Sequence, residues 1–203
     1  MTSGSSTLPP PLVIAGHLAI DFVNSRATPG VEPIDWLQDG ASLLGWASSL
    51  SLFPQPSLMR LGKTVTPRSL GAVAEEAREL REQLRGQLSH PERLRTSSAL
   101  WKRVNDILAR GSAFHELQAS DEGPKCVEVE RLDQAGQLLV PLAKAIGRLV
   151  EAEDLGRLRA CEGAGCTLWF VDRSKAGQRR FCSPSVCGNR AKVAAFRSRQ
   201  KDE

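Results

Sequence analysis

The sequence predicts an α+β protein: a mainly α body with a small β-hairpin, followed by a small C-terminal module of ribbon-like or treble-clef-like form. Three observations predict it. Apolar residues recur at spacings of three and four through much of residues 70–150, the mark of helices with one buried face. One stretch, residues 114–130, instead alternates apolar and polar residues around a turn. Beyond residue 157 the helical period gives way to four cysteines, Cys161, Cys166, Cys182 and Cys187, spaced C-x4-C-x15-C-x4-C. A chain of 203 residues has room for one ordinary domain, here 12–156, and one small module, 157–203.

In chain order, residues 1–11 are rich in Ser, Pro and Thr without a core-forming pattern and read as a disordered leader. The run Leu12 to Ser25 is largely apolar, and Leu18, Asp21, Phe22 and Ser25 fall at helical spacing, which favours a buried first helix. Thr28-Pro29-Gly30 turns the chain. Asp35-Trp36-Leu37 opens a second helix reaching about Leu50, with Trp36, Leu43, Leu44 and Trp46 as core; Pro54 and Pro56 stop it. Leu70, Val73, Ala77, Leu80, Leu84 and Leu88 form the clearest amphipathic helix. Pro91 opens another, continuing through Leu100, Val104, Ile107 and Leu108 to Gly111, with Trp101 as further core.

Phe114–Gln118 and Cys126–Glu130 flank Asp121-Glu122-Gly123-Pro124 as a hairpin, in which Cys126 reads as a small buried hydrophobe. A final body helix, about Ala135 to Glu153, buries Leu139, Leu142, Ile146, Leu149 and Val150, with Pro141 in its first turn. His17, His90 and His115 are scattered, and no phosphate loop, nucleophile elbow or helical histidine pair appears, so the chain reads as a non-enzyme.

The four cysteines suit tetrahedral metal. Two pairs a hairpin apart supply four soft thiolates for zinc at about 2.3 Å. Two disulfides would need an oxidising compartment, but residues 1–20 lack the basic n-region of a secretory signal, and a redox dithiol usually reads C-x-x-C. One structural Zn2+ per chain is therefore favoured over paired or redox thiols, and four thiolates leave no open position for catalytic water. Glu162-Gly163-Ala164-Gly165 lets the chain turn tightly, with N–H groups toward sulfur. Thr167–Asp172 reads as a strand, Arg173–Gln178 as a turn, and Arg179–Cys182 as the returning strand. Ala191 to Gln200 reads as a helix with Asn189 as N-cap and Val193 and Phe196 docking it on the hairpin.

Charge is uneven. Residues 157–203 carry eleven Lys/Arg against four Asp/Glu, a net +7, leaving −3 on residues 1–156. That asymmetry is expected of a chain whose one end meets a polyanion. Arg173, Lys175, Arg179, Arg180, Arg190, Lys192, Arg197 and Arg199 are the candidate nucleic-acid contacts; an Arg190 packed over the thiolates is the alternative for that residue. No apolar run approaches the roughly 20 residues of a membrane span, so a cytoplasmic, membrane-free protein is expected.

Cys187-Gly188-Asn189-Arg190, preceded by Cys161-x4-Cys166, Trp169-Phe170-Val171-Asp172 and Arg179-Arg180-Phe181-Cys182-Ser183, resembles the CGNR zinc finger. Leu18-Ala19-Ile20-Asp21-Phe22-Val23-Asn24-Ser25 and Asp35-Trp36-Leu37 resemble the ABATE domain that commonly precedes that finger. Ser183-Pro184-Ser185 departs from the usual Ser-Met start of the second knuckle. The resemblance implies a bacterial, stress-induced transcription regulator whose finger binds double-stranded DNA. The helical body would then dimerise or sense a small-molecule effector. The rival reading is a zinc-stapled protein–protein, RNA-binding or ligand-sensing module.

Overall fold

The computed structural model describes residues 8–29, 32–151 and 155–200, without the side chains of Ala195, Ser198 and Arg199. Of the expected leader, residues 1–7 lie outside the described residues. Pro9 is bound to the body, its carbonyl accepting from Trp36 Nε1 at 2.6 Å.

Helix α1 (Leu18–Val23) is short and almost wholly buried; His17 Nδ1 caps it by accepting from the Ala19 N–H. A two-residue ladder follows, β1 (Arg26–Ala27) antiparallel to β2 (Ile34–Asp35). The second helix, α2 (Gly40–Ser49), thus starts five residues later than the sequence suggests. Asp35 is taken by the ladder, and Asp39 supplies the cap by accepting from the Ser42 N–H at 2.8 Å. Trp36 and Leu37 are buried all the same, from a turn. Pro54 and Pro56 do not end helical structure but begin α3 (Gln55–Thr64), where a missing first-turn N–H costs nothing.

Helix α4 (Pro67–Arg85) runs through the centre and buries Leu70, Val73, Ala77, Leu80 and Leu84. It crosses α2 so closely that a Cβ on Gly40 would sit 2.4 Å from Leu70 Cβ. Arg81, 1% exposed, reaches both carboxylate oxygens of Asp35 at 2.8 Å and Ser25 Oγ at 3.1 Å, tying the small ladder to α4. The helix expected from Pro91 divides into a 3-10 turn, Pro91–Arg95, and α5 (Ser98–Leu108). Trp101 is 42% exposed, not core; Leu100, Val104 and Ile107 occupy the buried face, and the indole N–H donates to the Leu94 carbonyl.

Strands β3 (Ala113–Gln118) and β4 (Lys125–Glu130) form the expected antiparallel hairpin, with Leu117 opposite Cys126. Val127 and Val129 are half-buried on one face, so alternation puts Cys126 on the other, exposed beside an exposed Leu117, contrary to expectation. A 3-10 turn, Ala135–Leu139, leads into α6 (Val140–Glu151), with Pro141 in its first turn as expected. Gln137 Oε1 accepts the N–H groups of Asp133 and Gln134 at the start of this segment.

The partner of β6 (Trp169–Val171) is β5 (Leu158–Ala160), not the returning segment 179–182. Asp172 explains the difference. Its buried carboxylate accepts from the Ser174 N–H and hydroxyl and from the Arg179 N–H, folding residues 173–179 into a closed loop. Ser183 caps a π-type turn, Pro184–Gly188, that runs directly into α7 (Asn189–Arg199). Asn189 is therefore the first residue of α7 and not its cap. Among the described residues, no helix is long and apolar enough to cross a membrane.

The candidate metal centre

The four cysteines meet at one point. Cys161 follows β5, Cys166 precedes β6, Cys182 follows the Asp172 loop, and Cys187 lies in the turn leading into α7. All four Sγ atoms lie within 4.8 Å of one another, and Cys161, Cys182 and Cys187 are buried. A tetrahedron with Zn–S of about 2.3 Å has sulfur–sulfur edges near 3.8 Å, which this spacing accommodates.

Local chemistry fits a cation. Backbone N–H groups of Gly163 and Cys182 donate to Cys161 Sγ at 3.4 and 3.2 Å, and the Arg190 guanidinium donates to Cys187 Sγ at 3.1 Å. The first knuckle turns through Gly165 at φ 70°. Gly163 is needed for another reason: a Cβ there would lie 2.7 Å from Cys187 Sγ. Without a cation the thiols compete for charge. The Cys182 thiol hydrogen-bonds Cys166 and helps bring its pKa down to about 5, while that same bond and burial push Cys182 up. Burial raises Cys161 too. A divalent ion removes this conflict by letting all four ionise together. The donor set fits one structural zinc, closed to further ligands and cross-linking the ends of β5 and β6, the Asp172 loop and the turn into α7.

The finger is bonded to the beginning of the chain. Asn24 pairs with both main-chain polar atoms of Trp169. The Val171 N–H donates to the Ala15 carbonyl at 2.9 Å, and Thr167 Oγ1 accepts from the Thr28 N–H at 2.8 Å. Phe170 is fully buried. Sequence reading missed this junction, since its partners are more than 130 residues apart and carry no local signal.

The seven basic candidates with described side chains divide into three groups. Arg179 and Arg190 are engaged within the fold. Arg179 stacks 4.2 Å above the Phe170 ring and donates to the carbonyls of Phe181 and Cys182. Arg190 donates to the Pro29 carbonyl at 2.6 Å as well as to Cys187. Arg180 is exposed but paired with Glu162. Arg173, Lys175, Lys192 and Arg197 face solvent, and Arg199 lies on α7 with its side chain outside the described set. Val193 and Phe196, expected to dock α7, are 49% and 55% exposed. Helix α7 is held through its first turn and the preceding cysteine turn, which leaves these apolar residues open.

Two family models match the chain. Residues 157–200 match the CGNR zinc finger, and residues 16–153 match ABATE, described as "putative stress-induced transcription regulator". Neither is an enzyme family. No curated protein matches the chain.

Proposed function

Because the chain belongs to the ABATE family and carries a CGNR zinc finger, we propose that it is a cytoplasmic, zinc-dependent, DNA-binding transcription regulator without enzymatic activity. Residues 157–203 would meet the duplex, and the body, residues 12–156, would dimerise or receive the inducing signal. The observation carrying this reading is a basic helix fixed at one end by the cysteine cluster and open along its length. Lys192 and Arg197 are exposed on α7, and Arg173 and Lys175 on the Asp172 loop. Zinc would hold α7 in place, and lysine and arginine would neutralise phosphates, releasing counterions. A single finger makes few such contacts, so two copies acting together suit useful affinity.

Selection from a random duplex library on zinc-loaded protein tests this, with a zinc-stripped control. A motif recovered only with zinc is expected; recovery of the same motif without zinc, or of none, counts against it. In a salt titration, K192Q/R197Q should flatten the log-affinity against log-salt slope by about 1.8.

Exposed Val193 and Phe196 favour a second reading, in which α7 offers an apolar contact flanked by charge to a protein partner or to RNA. Competition of labelled duplex by RNA, together with V193S/F196S, separates the two. If these substitutions leave DNA affinity intact, the apolar pair serves another partner.

A further inference from the structure

Where the finger loop passes the body, a cleft of about 490 Å³ opens between α6, the start of α1 and the residues after α2. Lys144 and Arg148 line it from α6, one turn apart on the same face, and Arg173 lines it from the loop after β6. No Asp or Glu is among its described lining residues. Like charges one helical turn apart repel, and a third cation brought to them from another element adds to that cost.

The arginines of the helical core show how this chain usually treats such groups. Arg78, Arg81, Arg103 and Arg110 each meet a carboxylate. Arg148 and Arg173 make no ion pair or hydrogen bond among the described residues, and both are exposed. Only Lys144 has a partner, Glu130. The body is net acidic, so carboxylates are not in short supply.

Gly16, at φ 76°, lies against the Arg173 side chain, in a conformation that a residue with a Cβ adopts only under strain. The Val171–Ala15 hydrogen bond fixes the finger beside it. Ser51 at the cleft is, among the described residues, the one non-glycine in the left-handed region, at φ 51°. It ends α2 at the position where glycine is usual.

We propose that this cleft binds a phosphate group, held by Lys144, Arg148 and Arg173, as part of a small phosphorylated ligand that joins the finger loop to α6. Two unpaired guanidiniums in a cleft suit phosphate, which they can take bidentately. The volume holds a phosphate with a modest organic portion, and Leu18, Leu52 and Ala145 supply an apolar wall for it. Because one cation comes from the finger and two from the body, occupancy would oppose separation of the two. The site shares Arg173 with the DNA-binding reading, but Lys144 and Arg148 belong to the body and lie outside it, and its binding test needs no DNA.

Isothermal titration of the zinc-loaded full chain with inorganic pyrophosphate is the direct experiment. Saturable one-to-one binding is expected, weakened at least about tenfold in R148Q and in R173Q and unchanged in K63Q, an exposed lysine of α3 outside the cleft. Zinc content and circular dichroism check each variant; should R173Q fold poorly, R148Q on the solvent side of α6 decides. Absence of pyrophosphate binding, equal binding by R148Q and the unaltered protein, or an equal loss in K63Q would overturn the proposal. Titrating duplex DNA into R148Q, whose arginine lies outside the DNA-binding set, identifies the source of the phosphate. Unchanged DNA affinity supports the small ligand, whereas a parallel loss assigns the phosphate to the DNA backbone and overturns the ligand.

Discussion

Asn24 treats Trp169 as a neighbouring strand would: its Nδ2 donates to the Trp169 carbonyl at 2.8 Å, and its Oδ1 accepts from the Trp169 N–H at 2.9 Å. One side chain at the end of α1 thus satisfies Trp169 on the outer edge of β6, whose other edge is paired with β5. Asn24 is 1% exposed, so water cannot readily replace it.

Asn24→Ala should therefore cost about 1–3 kcal/mol, the penalty for leaving buried main-chain groups unpaired. Asn24→Asp is the sharper test, because a carboxylate can accept from the Trp169 N–H but faces the Trp169 carbonyl with no donor. It should be at least as destabilising as alanine despite its near-identical shape. Urea unfolding of the two variants side by side measures this.

Zinc removal should not unfold residues 157–200 as one unit. Strands β5 and β6 are held by Asn24, Ala15 and a buried Phe170, whereas α7 depends on the cysteine cluster and one arginine contact. Chelation, or Cys182→Ser, is expected to release amide protection across residues 183–199 and leave residues 169–171 protected. Hydrogen exchange with mass spectrometry reads both segments at once. Equal loss in both would show that the metal, and not the Asn24 junction, holds the finger to the body.

Gly163→Ala should weaken zinc binding by about tenfold or more, since its methyl group would displace the Cys187 sulfur from the tetrahedron. Gly156→Ala serves as control, with nothing within 4 Å of its added Cβ. A chelator competition on both variants gives the comparison.

Asp172 gives the finger loop its acid resistance. The Ser174 hydroxyl, assisted by the N–H groups of Ser174 and Arg179, holds the carboxyl down to about 2. A depressed acid stabilises fully above its unfolded value near 4 and loses that contribution as pH falls through about 2. The stability gap between the natural protein and Asp172→Asn should be constant from pH 5 to 7 and close between about pH 4 and 2. Both proteins should be followed metal-free, so that acid release of zinc does not enter and thiol titration, common to both, cancels in the gap.

Local pattern carried much of this fold. The three-four spacing of Leu70 to Leu84 marked α4, and alternation marked the β3–β4 hairpin, because each signal repeats within a few residues. The cysteine spacing likewise identified the cluster. Misreadings arose where distant chain decides local form. Asp35 looked like a helix start but is claimed by Arg26 and Arg81, and Arg179–Cys182 looked like a strand until Asp172 closed the loop before it. Composition could count the basic residues of the finger, but not tell Arg179, stacked on Phe170, from Lys192, exposed on α7. Nor could it bring Arg173 into one cleft with Arg148, because one comes from the loop after β6 and the other from α6.

The bonds from Ala15, Asn24 and Thr28 to the finger also set an order of events during synthesis. A nascent chain emerges from its N-terminus, yet the partners of these three residues appear only when residues 167–171 leave the ribosome. Until then Asn24 has no strand to pair with, and the apolar surface that covers Phe170 stays open. Closure of the body over β6 thus waits for the finger, and a product truncated before residue 167 would carry an exposed apolar seam that quality-control proteases and chaperones recognise.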